Sequence, residues 1–108
     1  LGRSVEQHGY PLHMPELLAT LPGVALAVRR SLHAPAEIRR ARKAIRLAFE
    51  AQLRGLGFSL VELLGTCPTN WHMTPSQALE YVHTQVLPEF PLGDFKMAAD
   101  LGGRATGA

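Results

Sequence analysis

Cys67 stands alone in the chain. It follows the apolar run Phe58 to Leu64 and opens the stretch Cys67, Pro68, Thr69, Asn70, Trp71. A thiolate can ligate a metal or act as a nucleophile. With one cysteine there is no internal disulfide, which points to a reducing compartment or to a thiol with another use. A lone cysteine is also commonly an inert, buried small hydrophobe. From the residues alone both readings stand. Five histidines, His8, His13, His33, His72 and His83, show no ligand pairing in their spacing. Cys67 with His72 supplies two ligands where structural zinc needs four. Glu62 interrupts the apolar run 58–64, and a carboxylate there is expected to pair with a neighbouring polar group. Trp71 is expected to pack beneath its loop.

Charge is the other candidate chemistry. The formal net charge is only +2, yet seven of the eleven Lys and Arg residues lie between Arg29 and Arg46. A basic run can meet phosphates. This one lacks aromatic residues on which bases could stack, so a solvated helix face is the default. An acidic protein or coenzyme A phosphates could also use such a face.

Several elements must position these groups. Residues 1–12 read as a loop. A short helix is expected from Pro15 to Leu21, with Pro22-Gly23 as its stop. The Val-rich run 24–32 has the length of a strand. The longest helix is expected over Pro35–Leu53, with Ile38, Ala41, Ile45, Ala48, Phe49 and Leu53 as its inner stripe and Gly55 and Gly57 after its end. The run FSLVELL (58–64) does not alternate, which fits a strand covered on both faces of a parallel sheet. Thr74-Pro75-Ser76-Gln77 is a capping box with proline at the first helical position. It opens a last helix whose inner stripe is Ala78, Leu79, Val82 and Val86, ended by Pro88. From Phe90 onward the pattern fades.

The order strand, helix, strand, helix predicts an α/β fold with a long parallel crossover. Two strands cannot cover themselves, so the chain is expected to belong to a larger sheet. At 108 residues it is one domain or a piece of one, and an apolar share of 46% fits a globular protein. No apolar run approaches the roughly 20 residues that span a bilayer. No signal peptide is visible. The first residue is Leu1, not Met, which is read as a processed chain or a fragment.

The ordered blocks GYPLHMPELLATLPG, GFSLVELLGTCPTNW and TPSQALEYVHTQVLPEFPLGDFK resemble one family. They are similar to the C-terminal part of the thiamine-diphosphate-binding beta subunit of 2-oxoacid:ferredoxin oxidoreductases, over about Gly2 to Lys96. The form C-P-T-N-W resembles most the branch that acts on 2-oxoglutarate or branched-chain 2-oxoacids. The resemblance implies a strand-helix-strand-helix portion of a parallel-sheet thiamine-diphosphate-binding fold, over residues 1–96. Residues 97–108 would then form a flexible Gly/Ala-rich tail.

That resemblance gives Cys67 a role. It would be the fourth ligand of a 4Fe–4S cluster whose other three cysteines lie elsewhere in the subunit. Pro68, Thr69 and Asn70 would shape the cluster loop. The G-D-G…N signature for Mg²⁺ and thiamine diphosphate is absent from this sequence, so no residue here inherits that role, and none is assigned as catalytic. His72 stands where relatives usually have glycine. The implied enzyme decarboxylates a 2-oxoacid oxidatively to an acyl-coenzyme A and passes electrons to ferredoxin. Its implied partners are the alpha subunit of the same enzyme, ferredoxin, the 2-oxoacid and coenzyme A. Neither membrane nor nucleic acid is expected, and the compartment would be the cytoplasm. Two other readings remain: a non-catalytic module that folds beside a partner, and a small basic nucleic-acid binder.

Overall fold

A computed structural model describes residues 5–66, 72–99 and 101. The chain forms an α/β unit with a three-stranded mixed sheet, in the order β2-β1-β3. Strand β1 is Val24–Ser31, β2 is Phe58–Leu64 and β3 is Gly93–Met97. Helices α1 (Val5–His8) and α2 (Met14–Leu18) precede the sheet. Helix α3 (Pro35–Leu53) connects β1 to β2, and α4 (Pro75–Tyr81) runs into a π-helical turn at Val82–Val86. Leu17 donates its N–H to the carbonyl of His13, and α1 is a short turn within the 1–12 stretch read from sequence as loop.

The parallel β1–β2 pairing was expected from the crossover helix, and it is present, with Ala27 opposite Leu60 and Ser31 opposite Leu64. Strand β3 was not expected. It adds antiparallel on the other side of β1, with Ala27 opposite Lys96, so the sheet is mixed rather than parallel. Its sequence, GDFKM, has neither a long apolar run nor clean alternation, and its place is set by the neighbour it pairs with. The described chain continues past Lys96. Ala98 donates its N–H to the Ala25 carbonyl at 2.8 Å, and Leu101 is buried in the core.

Strand β1 is central and nearly all buried. Its side chains alternate between two environments, as the pleat requires. Leu26 and Val28 pack with Ala44 and Ala51 of α3, whereas Arg29 lies with α2 and the segment around Phe90 to Phe95.

Helix α3 begins at Pro35 and ends in a Schellman motif. Gly55, at φ +65°, donates to the Gln52 carbonyl, and Leu56 donates to that of Ala51. Pro35 and Gly55 thus act as the sequence indicates. The inner face does not. Ala41, Ala44 and Ala51 are buried, with Leu47 and Ala48 packed against them. Ile38, Ile45, Phe49 and Leu53 are exposed, Phe49 to 66% and Leu53 to 88%. Small alanines let the helix axis approach β1 closely, so the larger apolar side chains turn to the flank.

That flank meets an open edge. Strand β2 is an edge strand, and Phe58 and Leu63 are exposed, so the two-sided cover expected for 58–64 is not present among the described residues. Ile45, Phe49, Phe58 and Val61 line an apolar groove of about 330 Å³ between α3 and β2. In α4, Ala78 is buried and Leu79 is exposed, and Val82 in the π-helical turn is buried. Leu79 therefore does not belong to the inner stripe, which runs through Ala78 and Val82, four residues apart.

Candidate functional site

The carboxyl ends of β1 and β2 lie side by side. Leu32 donates its N–H to the Leu64 carbonyl at 3.0 Å, which carries the parallel ladder to its end. Gly65 and Thr66 leave from this edge toward Cys67. This is where open α/β sheets place their ligands. Cys67, Pro68, Thr69, Asn70 and Trp71 themselves lie outside the described residues.

The described chain resumes at His72. His72 has φ +56°, the only positive value among the described non-glycine residues. That left-handed conformation costs a non-glycine residue about 1–2 kcal/mol, and it is one in which glycine is at ease. Thr74 then caps α4. Its Oγ1 accepts from the Gln77 N–H at 3.2 Å, while Gln77 Oε1 accepts from the Thr74 N–H at 3.0 Å. The capping box is complete, as the sequence indicates. Thr74→Ala leaves a first-turn N–H without its partner, and we expect a loss of about 1 kcal/mol. A urea titration followed by far-ultraviolet circular dichroism measures it. An unchanged midpoint would show that α4 is held by packing rather than by its cap.

Histidines gather on this side of the sheet in a way their spacing did not reveal. The rings of His33 and His83 lie 5.5 Å apart. Ser31 Oγ and His33 Nδ1 share a hydrogen bond of 2.6 Å, and His33 donates its N–H back to Ser31 Oγ. A serine beside a histidine suggests a nucleophile and its base. Ser31, however, is fully buried, so its hydroxyl cannot meet a substrate. The pair instead turns the chain from β1 toward α3. His13 is engaged elsewhere, with Glu89 and the ring of Phe90. Among the described residues no three His, Cys, Asp or Glu side chains come together as a metal site.

The dominant polar feature is Arg29, whose side chain has no exposed surface. Its guanidinium donates twice to the Glu16 carboxylate, both at 2.7 Å, once to Glu62 at 2.5 Å, and once to the Pro91 carbonyl at 2.9 Å. The rings of Phe90 and Phe95 lie 5.3 and 5.2 Å from its central carbon. Glu62 sits opposite Arg29 in the strand register, so the expected polar partner for Glu62 exists. Sequence reasoning missed Arg29 itself. The available signal was a charged residue inside the strand VALAVRRS, with a second charge inside its neighbour.

The electrostatics follow from this geometry. The hydrogen bond from Arg29 holds the Glu16 carboxyl below the ordinary glutamate range, against the opposing effect of burial. Burial works against the Arg29 charge, but hydrogen bonds to Glu16 and Glu62 outweigh it and its pKa is raised. Arg29 is therefore a permanent cation at every working pH, and the cluster is a structural tie rather than a proton-transfer group. It joins α2, β1, β2 and the chain entering β3. The next residue, Arg30, pairs with Asp94 and donates to the Gly93 carbonyl at 3.1 Å, which fixes β3 to β1.

The described part of the molecule is thus a parallel β-α-β unit with one antiparallel strand, with a loop leaving the carboxyl edge of the sheet. Comparison with known proteins is specific at the level of sequence. The chain is 42% identical over 95 residues to the ketoisovalerate oxidoreductase subunit VorA of Methanothermobacter thermautotrophicus. It is 39% identical over 95 residues to the subunit of the same name from Methanothermobacter marburgensis. In both cases the match takes in 88% of this chain and 20% of the relative, so the chain spans about a fifth of the length of these relatives. No protein-family model matches the chain, and no solved structure does. Among the described residues no helix is long and apolar enough to cross a membrane.

Proposed function

We propose that this chain is part of a subunit of a 2-oxoacid:ferredoxin oxidoreductase, with a branched-chain 2-oxoacid such as ketoisovalerate as substrate. The identity of 42% over 95 residues to a ketoisovalerate oxidoreductase subunit carries this reading. The parallel β1-α3-β2 unit, with its loop at the carboxyl edge, is compatible with it. In the proposed reaction one 2-oxoacid and coenzyme A give acyl-coenzyme A, carbon dioxide and a proton. The two electrons released reduce two one-electron ferredoxins. We further assign the chain to the thiamine-diphosphate-binding beta subunit, assembled with an alpha subunit.

When bound, thiamine diphosphate with Mg²⁺ would supply the electron sink for decarboxylation, and a 4Fe–4S cluster the outlet for single electrons. Among the described residues no three His, Cys, Asp or Glu side chains gather as a metal site. The proposal therefore gives this chain one cluster ligand, Cys67, held in a loop with Pro68, Thr69 and Asn70, and no catalytic group. The described residues would serve as scaffold: the end of β2 delivers the loop, and the cap at Thr74 receives it.

The test is direct. The tagged chain, purified anoxically from its native cell with its bound partners, is expected to reduce methyl viologen when given ketoisovalerate and coenzyme A. Cys67→Ser is expected to lower the iron content of the complex and its viologen reduction, with the partners retained. A complex inactive on every 2-oxoacid tried would overturn the reading. Activity with unchanged iron in Cys67→Ser would remove the ligand assignment alone.

A further inference from the structure

We propose that the outer face of α3, carrying Arg39, Arg42, Lys43 and Arg46, docks an acidic protein electron carrier. The choice of an electron carrier rests on the redox reading above. The charge complementarity does not.

All four side chains are exposed, and they line one shallow groove of about 480 Å³ together with Leu47 and Glu50. They span eight residues of helix, roughly 10 Å from first to last. None of the four forms an ion pair among the described residues. Their neighbours do: Arg40 pairs with Glu37, and Arg54 with Glu50. Positions 39 and 42, 39 and 43, 42 and 46, and 43 and 46 are three or four residues apart. Like charges at those spacings repel and weaken a helix. The fold leaves this repulsion unrelieved, and a partner of opposite charge would relieve it.

The shape of the site selects the partner. A small polyphosphate is held by buried donors or by backbone N–H groups at a helix start. This face lies in the helix interior, where N–H groups are already bonded, and its cations are solvated. A nucleic acid favours a longer basic track with stacking platforms. Here no aromatic side chain stands among the cations, and Glu50 lies in the same groove. Ile45 and Phe49 border the cations on the adjoining flank and are exposed. Arginines beside exposed apolar side chains are the composition of a protein interface.

The location suits electron transfer. Helix α3 starts just after the carboxyl end of β1 and runs back along the sheet, so Arg39, Arg42 and Lys43 occupy its half nearer that edge. The loop to Cys67 leaves from the same edge. A carrier held by these cations would sit near the edge from which Gly65 and Thr66 leave the sheet.

Two double variants with the same change in net charge test the site. Arg42→Gln/Arg46→Gln removes two unpaired cations from the face. Arg40→Gln/Arg54→Gln removes two exposed cations that already pair with glutamates. Binding of the full chain to a ferredoxin of net negative charge is measured by biolayer interferometry at about 20 and about 200 mM salt. At low salt we expect the first variant to bind about tenfold more weakly, and the second to stay within about twofold of the unaltered chain. Tighter binding to a DNA duplex with the same dependence on Arg42 and Arg46 would overturn the proposal in favour of nucleic acid. Equal weakening in both variants, or no binding at low salt, would also overturn it. If ketoisovalerate still drives viologen reduction in that case, the docking surface falls and the proposed function stands.

Discussion

Arg29→Met is expected to destabilise the chain by about 3–5 kcal/mol, the range for removing one partner of a buried ion pair. Methionine keeps most of the apolar stem, so the loss reports the guanidinium rather than a cavity. Four hydrogen bonds go with it, to Glu16, Glu62 and the Pro91 carbonyl. So do the two contacts with Phe90 and Phe95. Two carboxylates are left facing each other across the vacated site. A domain of this kind has about 5–15 kcal/mol in total, so a urea midpoint should fall by a large fraction or the chain should fail to fold. Arg29→Lys is expected to fare little better, because one ammonium cannot serve Glu16 bidentately and also reach Glu62. An Arg29→Met midpoint within about 1 kcal/mol of the unaltered chain would mean the cluster contributes no net stability.

The same cluster sets an acid limit. Glu16 has its pKa lowered in the fold, chiefly by the hydrogen bond from Arg29. A carboxyl of that kind adds stability that is fully present above its unfolded value, and the stability is lost as pH falls through the lowered one. The loss therefore begins near the ordinary glutamate range, roughly pH 4–5, and continues downward. Glu16→Gln should flatten that part of the stability curve. Arg29, with its pKa raised, contributes no pH dependence in this window.

Gly57→Ala is the second large effect, expected at about 1–3 kcal/mol from the backbone alone, with a steric cost added. Gly57 has φ +141°, a conformation that side-chain-bearing residues rarely adopt. A methyl group there would stand 2.6 Å from the Gly23 carbonyl oxygen. That oxygen is fixed, because it accepts the Phe58 N–H at 3.0 Å where β2 joins β1. Neither atom can retreat without opening the start of the parallel ladder. Gly55→Ala is the comparison. Gly55 also has positive φ, but nothing lies within 4 Å of its added carbon, so it should cost only the backbone strain. Equal losses at the two positions would show that the approach to Gly23 is not what matters.

These residues also show what a sequence can and cannot reveal. Strand β1, helix α3 and strand β2 were legible because each rests on local signals: a Val-rich run, proline at a helix start, a glycine stop, a second apolar run. The capping box at Thr74 was legible for the same reason. The facing of α3 was not. Size and hydrophobicity favoured Ile45, Phe49 and Leu53, but contact with β1 is made by Ala41, Ala44 and Ala51, because a helix packs closer to a sheet through small residues. Strand β3 escaped because Gly93, Asp94 and Lys96 break any apolar period, and only pairing to β1 defines it. Arg29 escaped because its partners come from positions 16, 62 and 91, which nothing local connects. Of the candidate site, the sequence marks the loop at the carboxyl edge through Cys67, while the Ser31–His33–His83 grouping depends on the turn of the chain after β1.

The placement of β1 between its two neighbours carries a kinetic consequence. Ala27 meets Leu60 across 33 residues of chain but meets Lys96 across 69. Closing the longer loop costs about 0.6 kcal/mol more in chain entropy, and during synthesis its far end leaves the ribosome later than the parallel pair does. The unit from Val24 to Leu64 can thus collapse first, with Arg29 already held by Glu16 and Glu62. The segment Phe90–Met97 then arrives late and bonds to a cation that is waiting for it. We expect assembly to run from the parallel pair outward, with the antiparallel strand as its final latch.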